Sequence, residues 1–272
     1  MESAIAKALR LDNEPVAVLF TDTRPDGAAQ FAPGQWGCVM FLFAAAARGR
    51  TAVFDRQSYG CPGGGVGLGF GDCYAGFPGG LPGFCRFLAH GNAADPIGRL
   101  IGEKMRAGGD PGAFVDQYLH GERYKKSAAL VEALVREMPM TEVPAPYVVM
   151  KPLSQVDAAC ETPVSVTFLV DPDRLAALTV LANYDRPGCE NVAVPYVAAC
   201  QVVGLLAYRE AEAEAPRCLI GLTDLSARKY LKGQHAADRL SFTVPFRRLL
   251  EMEANVAGSF LEGETWAAVI TP

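Results

Sequence analysis

No run of 18 apolar residues occurs in this 272-residue chain, so no transmembrane helix is expected. The most apolar segment, Trp36 to Ala47, is too short to span a bilayer and ends at Arg48. Positive charge is not in excess: 25 Lys and Arg face 30 Asp and Glu, a net charge of −5. That balance argues against nucleic acid, which needs a basic face. Histidine is scarce, and His90, His120 and His235 sit in unrelated polar contexts with no H-x-x-x-H spacing. G-x-S-x-G is missing, so a hydrolase triad has no support. Gly-Lys-Ser/Thr is missing too, which excludes a P-loop. The only crowded acids, Glu210 to Ala215 in the sequence EAEAEA, read as a solvated helix end. The N-terminus, MESAIAKALRLDNEP, has no basic start, apolar core or small-residue cleavage site of a signal peptide. The expected location is therefore cytoplasmic, and the eight cysteines are expected to be reduced rather than paired.

What the chain does have is glycine, concentrated in one place. Cys61 to Cys85, CPGGGVGLGFGDCYAGFPGGLPGFC, holds ten glycines, three prolines and three of the cysteines. Glycine loses the most backbone entropy on folding and proline removes a donor, so the run is expected to be neither a regular helix nor a central strand. It also carries Val66, Leu68, Phe70, Tyr74, Phe77, Leu81 and Phe84, and disordered segments are poor in aromatics. The expectation is an ordered loop packed by its own apolar side chains, whose backbone approaches something closely. Backbone N–H groups at Gly63, Gly64 and Gly65 could cradle a phosphate or other anion. No G-x-G-x-x-G register closes, however, because the third glycine position always holds another residue. The plainer reading is a packed loop lining a pocket or a subunit contact.

The rest reads as alternating helices and strands. Ser3 to Leu11 is a short amphipathic helix, Pro15 to Phe20 a buried strand, Gln35 to Ala47 a helix apolar all round and therefore buried, and Thr51 to Asp55 a second strand. Asp-Pro pairs at Asp95, Asp110 and Asp171 mark helix starts. Tyr124 to Met138 is a further helix. Tyr147 to Pro152, Val164 to Val170, Arg217 to Leu222 and Leu240 to Val244 are strands, and the alternation in two of them suggests one face on the core. Helices are expected at Pro195 to Ala211, from Asp224, and from Phe246 to Phe260. The fold class is α+β: a mixed or antiparallel sheet with helices on its faces and a long glycine-rich loop. One domain over 1–272 is expected. A two-lobe division into 1–138 and 147–272 is the variant, with the proline-rich stretch 139–146 as linker.

Two constellations carry chemistry. Cys38, Cys61, Cys73 and Cys85 lie in the first third of the chain, and four thiolates make a full ligand set for an iron–sulfur cluster or another metal. Glycines around a cluster let backbone amides approach its sulfurs. There is no C-x-x-C pair, so the fold would have to gather the ligands. Cys200, in AACQ on an expected helix, could face the same pocket, whereas Cys160, Cys189 and Cys218 read as inert. In GLTDLSARKYL, Asp224 is an N-cap candidate and Arg228 stands four residues on, where it can pair with Asp224 or hold a small anion. The plain reading there is a cap and a surface ion pair. Thiol chemistry at Cys61 or Cys200 would need a depressed pKa, and neither has a neighbouring His or Lys in sequence.

Taken in order, GCVMFLFAAAARGR, a strand, the glycine loop with GLGF, then YVVMKPL, PVSVTFLVDPDRLAAL, VAACQ, GLTDLSAR and LSFTVPF resemble the domain of unknown function 169 family over nearly the whole chain. The resemblance implies a prokaryotic, soluble, single-family α/β-type protein and brings no activity with it. On the match, Cys38, Cys61, Cys200, Asp224 and Arg228 fall in recurring segments, while Cys73 and Cys85 fall in the variable part of the loop. Two ligand sets are therefore expected: the four N-terminal cysteines, or Cys38, Cys61 and Cys200 with a non-protein or non-cysteine fourth ligand. The leading functional expectation is a metal or iron–sulfur centre with a redox or electron-transfer role on a small anionic substrate. The alternative is a metal-free module that binds a small anion through the glycine loop and Arg228. A homodimer is the expected assembly, being the commonest outcome for an oligomer.

Overall fold

The computed structural model describes residues 1–233 and 238–271; His235 lies outside the described residues. In chain order, the first elements are α1 (Ala4–Ala8), β1 (Val16–Thr21), α2 (Val39–Ala46), β2 (Ala52–Phe54) and α3 (Pro62–Leu68). Four helices follow: α4 (Gly80–Leu88), α5 (Pro96–Ala107), α6 (Gly112–His120) and α7 (Ala128–Glu137). Then come β3 (Tyr147–Pro152), β4 (Ser165–Val170), α8 (Pro172–Asn183), β5 (Val192–Ala193) and α9 (Ala199–Gln201). α9 runs through a π-helical turn, Val202–Leu206, into α10 (Ala207–Glu212). The chain closes with β6 (Cys218–Gly221), α11 (Leu225–Leu231), β7 (Leu240–Pro245), α12 (Phe246–Ala254) and α13 (Glu264–Ile270). Two compact units result, one of Met1–Phe70 with Thr141–Pro272 and one of Gly71–Met140.

The first unit is built on a seven-stranded sheet in the order β2-β3-β1-β4-β7-β6-β5. Among the seven described strands, β5 and β6 pair in parallel and the other pairs are antiparallel, so the sheet is mixed and the fold is α+β. β1 and β2 come before residues 139–146 and pair with β3 and β4, which come after them. On one face Val166, Phe168, Phe242 and Val244 form the main core with Leu178 of α8 and Leu249 and Met252 of α12. The alternation in β4 and β7 suggested that the other face meets solvent. Instead β4 is buried along its whole length. Ser165, Thr167, Ser241 and Thr243 are fully buried, with the Thr167 and Thr243 hydroxyls 3.0 Å apart. The cover is the helix from Ala199 to Glu212, whose α10 packs on β4 and β7. The alternation was real, but it marks two kinds of buried face rather than a buried and a wet one.

The glycine-rich run is the main correction. It is not a loop. Pro62–Leu68 is helical, Cys73–Gly76 is a 3₁₀ turn and Gly80–Leu88 is helical again. Pro62 takes the first position of α3, where its missing N–H costs nothing. Gly69 ends that helix in the left-handed conformation, φ 85°. Glycine inside a helix costs up to about 1 kcal/mol against alanine, and here the cost is offset by close packing. A Cβ on Gly64 would lie 2.7 Å from the Tyr59 carbonyl oxygen, and one on Gly67 would lie 2.8 Å from the Cys200 carbonyl carbon.

The second unit holds α4 to α7 around Phe77, Met105, Val115 and Tyr118. Asn92 ties it together by donating to the carbonyls of Gly83 (3.1 Å) and Tyr118 (3.0 Å). Asp95 caps α5 through the Gly98 amide, as its sequence suggested. At Asp110-Pro111 the cap position is Pro111 itself, and α7 starts later than expected, at the Ser127 cap.

Candidate functional site

Three of the candidate cysteines and the candidate aspartate stand at helix starts of the first unit. Cys38 is the N-cap of α2, in extended conformation, with no capping bond from its side chain. Cys61 is the N-cap of α3, and its Sγ accepts the Gly64 amide at 3.3 Å. Cys200 lies in the first turn of α9 and is buried; its thiol donates to the Gly63 carbonyl at 3.6 Å. Asp224 is the N-cap of α11 and serves two helices at once. One carboxylate oxygen accepts the Ala227 amide at 3.1 Å, and the other accepts the Ala199 amide, at the start of α9, at 2.9 Å.

These groups share one electrostatic neighbourhood. Burial pushes the Cys38 thiol up to about 12, and the charge of Cys61 adds to it. Burial raises Cys61 as well, with the Gly64 amide pulling the other way. Cys200 is raised well above the ordinary thiol value by burial first and then by Cys61 and Cys38. Asp224 adds to the rise of all three thiols. Its own carboxyl is raised by burial, against the pull of the Ala227 and Ala199 amides and of Arg228. Buried, protonated thiols are poor nucleophiles, so this arrangement does not favour thiol catalysis. Among the described residues, no group of three or more His, Cys, Asp or Glu side chains stands ready to hold a metal ion. The thiols converge on one region without forming a ready-made ligand shell.

The other candidates are placed as follows. Cys73 and Cys85 belong to the second unit, so the glycine run is divided, with Cys61 in one unit and Cys73 and Cys85 in the other. Gly63 and Gly64 give a carbonyl and an amide to the thiols of Cys200 and Cys61. Gly65 is buried, and its amide is bonded to the Cys61 carbonyl. The Arg228 guanidinium donates to the carbonyls of Leu222 (3.3 Å) and Arg239 (3.0 Å). It braces the turn before α11, and Leu222 holds φ 60° within that turn. Left-handed backbone is a genuine outlier for a bulky residue.

Sequence reasoning missed the helix crossing and the tyrosine beside it. A Cβ on Gly204 would sit 2.0 Å from the Gly67 carbonyl oxygen, so α3 and the π turn meet backbone to backbone. The Tyr208 ring packs edge-on against Phe20, centroids 4.9 Å apart, and its hydroxyl is 3.2 Å from where a Gly204 side chain would begin. That hydroxyl is buried and has no hydrogen-bond partner among the described residues. The i+4 spacing Cys200, Gly204, Tyr208 was the available signal. Around the site, Trp36 and Phe41 flank Cys38 in sequence, Tyr196 precedes Cys200, and Leu225 follows Asp224; all four are exposed.

No helix among the described residues is long and apolar enough to cross a membrane. A family model, DUF169, described as "Uncharacterised ArCR", matches residues 4–255 and so spans every residue of the site. No curated protein and no solved structure matches the chain.

Proposed function

The chain belongs to the DUF169 family, and we propose that it holds a thiolate-bound metal ion or iron–sulfur centre through Cys38, Cys61 and Cys200, with a redox or electron-transfer role. One observation carries the reading: three thiols from distant parts of the chain stand at helix starts in one neighbourhood, where the Cys200 thiol donates to the Gly63 carbonyl beside Cys61, and Cys61 raises the pKa of both Cys38 and Cys200. Left empty, such a site must keep its thiols neutral. A soft cation or a cluster would turn the same groups into thiolates that share one positive centre. The amide of Gly64 already points at the Cys61 sulfur, and donors of that kind stabilise a bound thiolate and tune the potential of a redox centre. Among the described residues no ligand shell is ready-made, and ligation by Cys200 would cost its bond to the Gly63 carbonyl.

The test is anaerobic purification followed by an optical spectrum and analysis for iron, sulfide and zinc. Broad visible absorption with iron and sulfide supports a cluster and the redox role. Zinc in a colourless protein supports the thiolate site and removes the redox role. A colourless, metal-free protein that takes up neither zinc nor iron overturns the proposal.

A further inference from the structure

The sequence of α3 does not support a helix by itself. Four of its seven residues are glycine, the poorest helix former after proline. Seven residues are also too few to hold a helix alone in water. The order of α3 must come from what grips its two ends. At the first end, the Cys61 sulfur accepts the Gly64 amide at 3.3 Å. At the other end stands a small neck. There the Val143 amide donates to the Gly69 carbonyl at 2.8 Å, and Phe70 and Glu142 form an isolated antiparallel bridge. Arg56 closes this neck from the side. Its guanidinium donates to the Phe70 carbonyl (3.2 Å) and the Glu142 carboxylate (3.0 Å), and it lies over the Phe70 ring, 5.8 Å from the centroid. Tyr59 ties the neck to the first turn. Its ring stands 6.3 Å from that of Phe70, centroid to centroid, and its carbonyl oxygen lies 2.7 Å from where a Gly64 side chain would begin.

What α3 covers is Cys200. Gly63 and Gly67 are four apart and share one helix face. The Cys200 thiol donates to the Gly63 carbonyl at 3.6 Å, and a Cβ on Gly67 would lie 2.8 Å from the Cys200 carbonyl carbon. Gly64 to Leu68 are buried, whereas Cys61 and Gly63 are half-buried. We infer that α3 is a latched cover: Arg56 at the neck keeps it helical, and its local unwinding is the step that opens the buried Cys200 thiol to small solutes. The latch is weak by construction. The Arg56 and Glu142 side chains are 52% and 71% exposed, and exposed ion pairs contribute little. Openings of this kind are local and leave the rest of the fold intact. The inference concerns the metal-free chain and does not depend on the thiols being ligands.

The probe is N-ethylmaleimide, a small neutral reagent that adds to thiols, applied to the reduced, metal-free full chain under native conditions. Peptide mass spectrometry follows each cysteine separately. Cys218, buried in the main core, reports global unfolding, and exposed Cys189 reports the reagent itself. In the wild-type protein Cys200 should react more slowly than Cys189 and faster than Cys218. Arg56→Ala loses the ion pair, the bond to the Phe70 carbonyl and the ring contact. It should speed Cys200 roughly 5- to 30-fold, the factor that a small local loss of stability produces, and leave Cys218 unchanged. Gly63→Ala raises helix propensity, and its Cβ would meet the Cys61 sulfur at 4.0 Å; it should slow Cys200 by up to about fivefold. An unchanged Cys200 rate in Arg56→Ala would overturn the inference. So would Cys200 and Cys218 speeding up together, or reacting at one rate in the wild-type protein, because either result ties Cys200 to global unfolding. If Arg56→Ala fails to fold, Gly63→Ala decides: slowing at Cys200 alone supports the cover, and an unchanged or faster rate removes it.

Discussion

Burial holds the proton on the Cys38 thiol well past the ordinary thiol value, up to about 12, and that displacement has a testable sign. In the unfolded chain the thiol loses its proton near 9; in the empty folded protein it holds it until about 12. Its contribution to stability is therefore fully present below pH 9 and is lost as pH rises through that window. Cys200 is raised in the same direction, so the effect is compounded. Chemical denaturation of the metal-free protein should show stability falling steadily above pH 9. The loaded protein, whose thiols have already given up their protons, should not follow that decline. Loading at pH 7 should release protons, which calorimetry in buffers of different ionisation enthalpy would count; uptake with no proton release would mean that the thiols are not the ligands. The residue identities behind these statements were legible in the sequence. Their protonation was not, because the burial that sets it comes from contacts among segments far apart in the chain.

At the scale of elements, the site is held by a crossing of two glycines. Gly67 of α3 and Gly204 of the π turn touch through their backbones, which lets the Cys61 end of α3 approach the Cys200 turn of α9. Gly204→Ala should destabilise the protein by about 1–3 kcal/mol, as overpacking does. Gly63→Ala should be neutral or stabilising by up to about 1 kcal/mol, as glycine replacement in a helix is, because the added Cβ would meet the Cys61 sulfur at an easy 4.0 Å. Urea titrations of the pair would check this, and equal effects would show that the crossing does not depend on glycine. The same contact explains what could not be read from the sequence. Local propensity argued against a helix in CPGGGVGLG, and it was overruled by a partner surface supplied by residues 200–204. The capped helices at Asp95 and Asp171 were legible because caps and proline act within one turn.

At the scale of the molecule, the mixed sheet and its helical layers followed from the pattern of apolar runs. The insertion of a helical unit at 71–140 into a sheet-bearing unit did not. Strand pairing such as β1 with β3 joins segments separated by that whole insertion, and no local signal reports it. Cys73 and Cys85 fall in that helical unit, whereas Cys38, Cys61 and Cys200 fall in the sheet-bearing one. The molecule's central claim is that Cys38, Cys61 and Cys200 form one metal centre, and Cys61 is its middle member, coupled to both others. The most direct measurement is therefore metal content per chain, after anaerobic purification and reconstitution, in wild type and Cys61→Ser. The account predicts that the variant folds and loses the metal; a folded Cys61→Ser protein with wild-type metal content would contradict it.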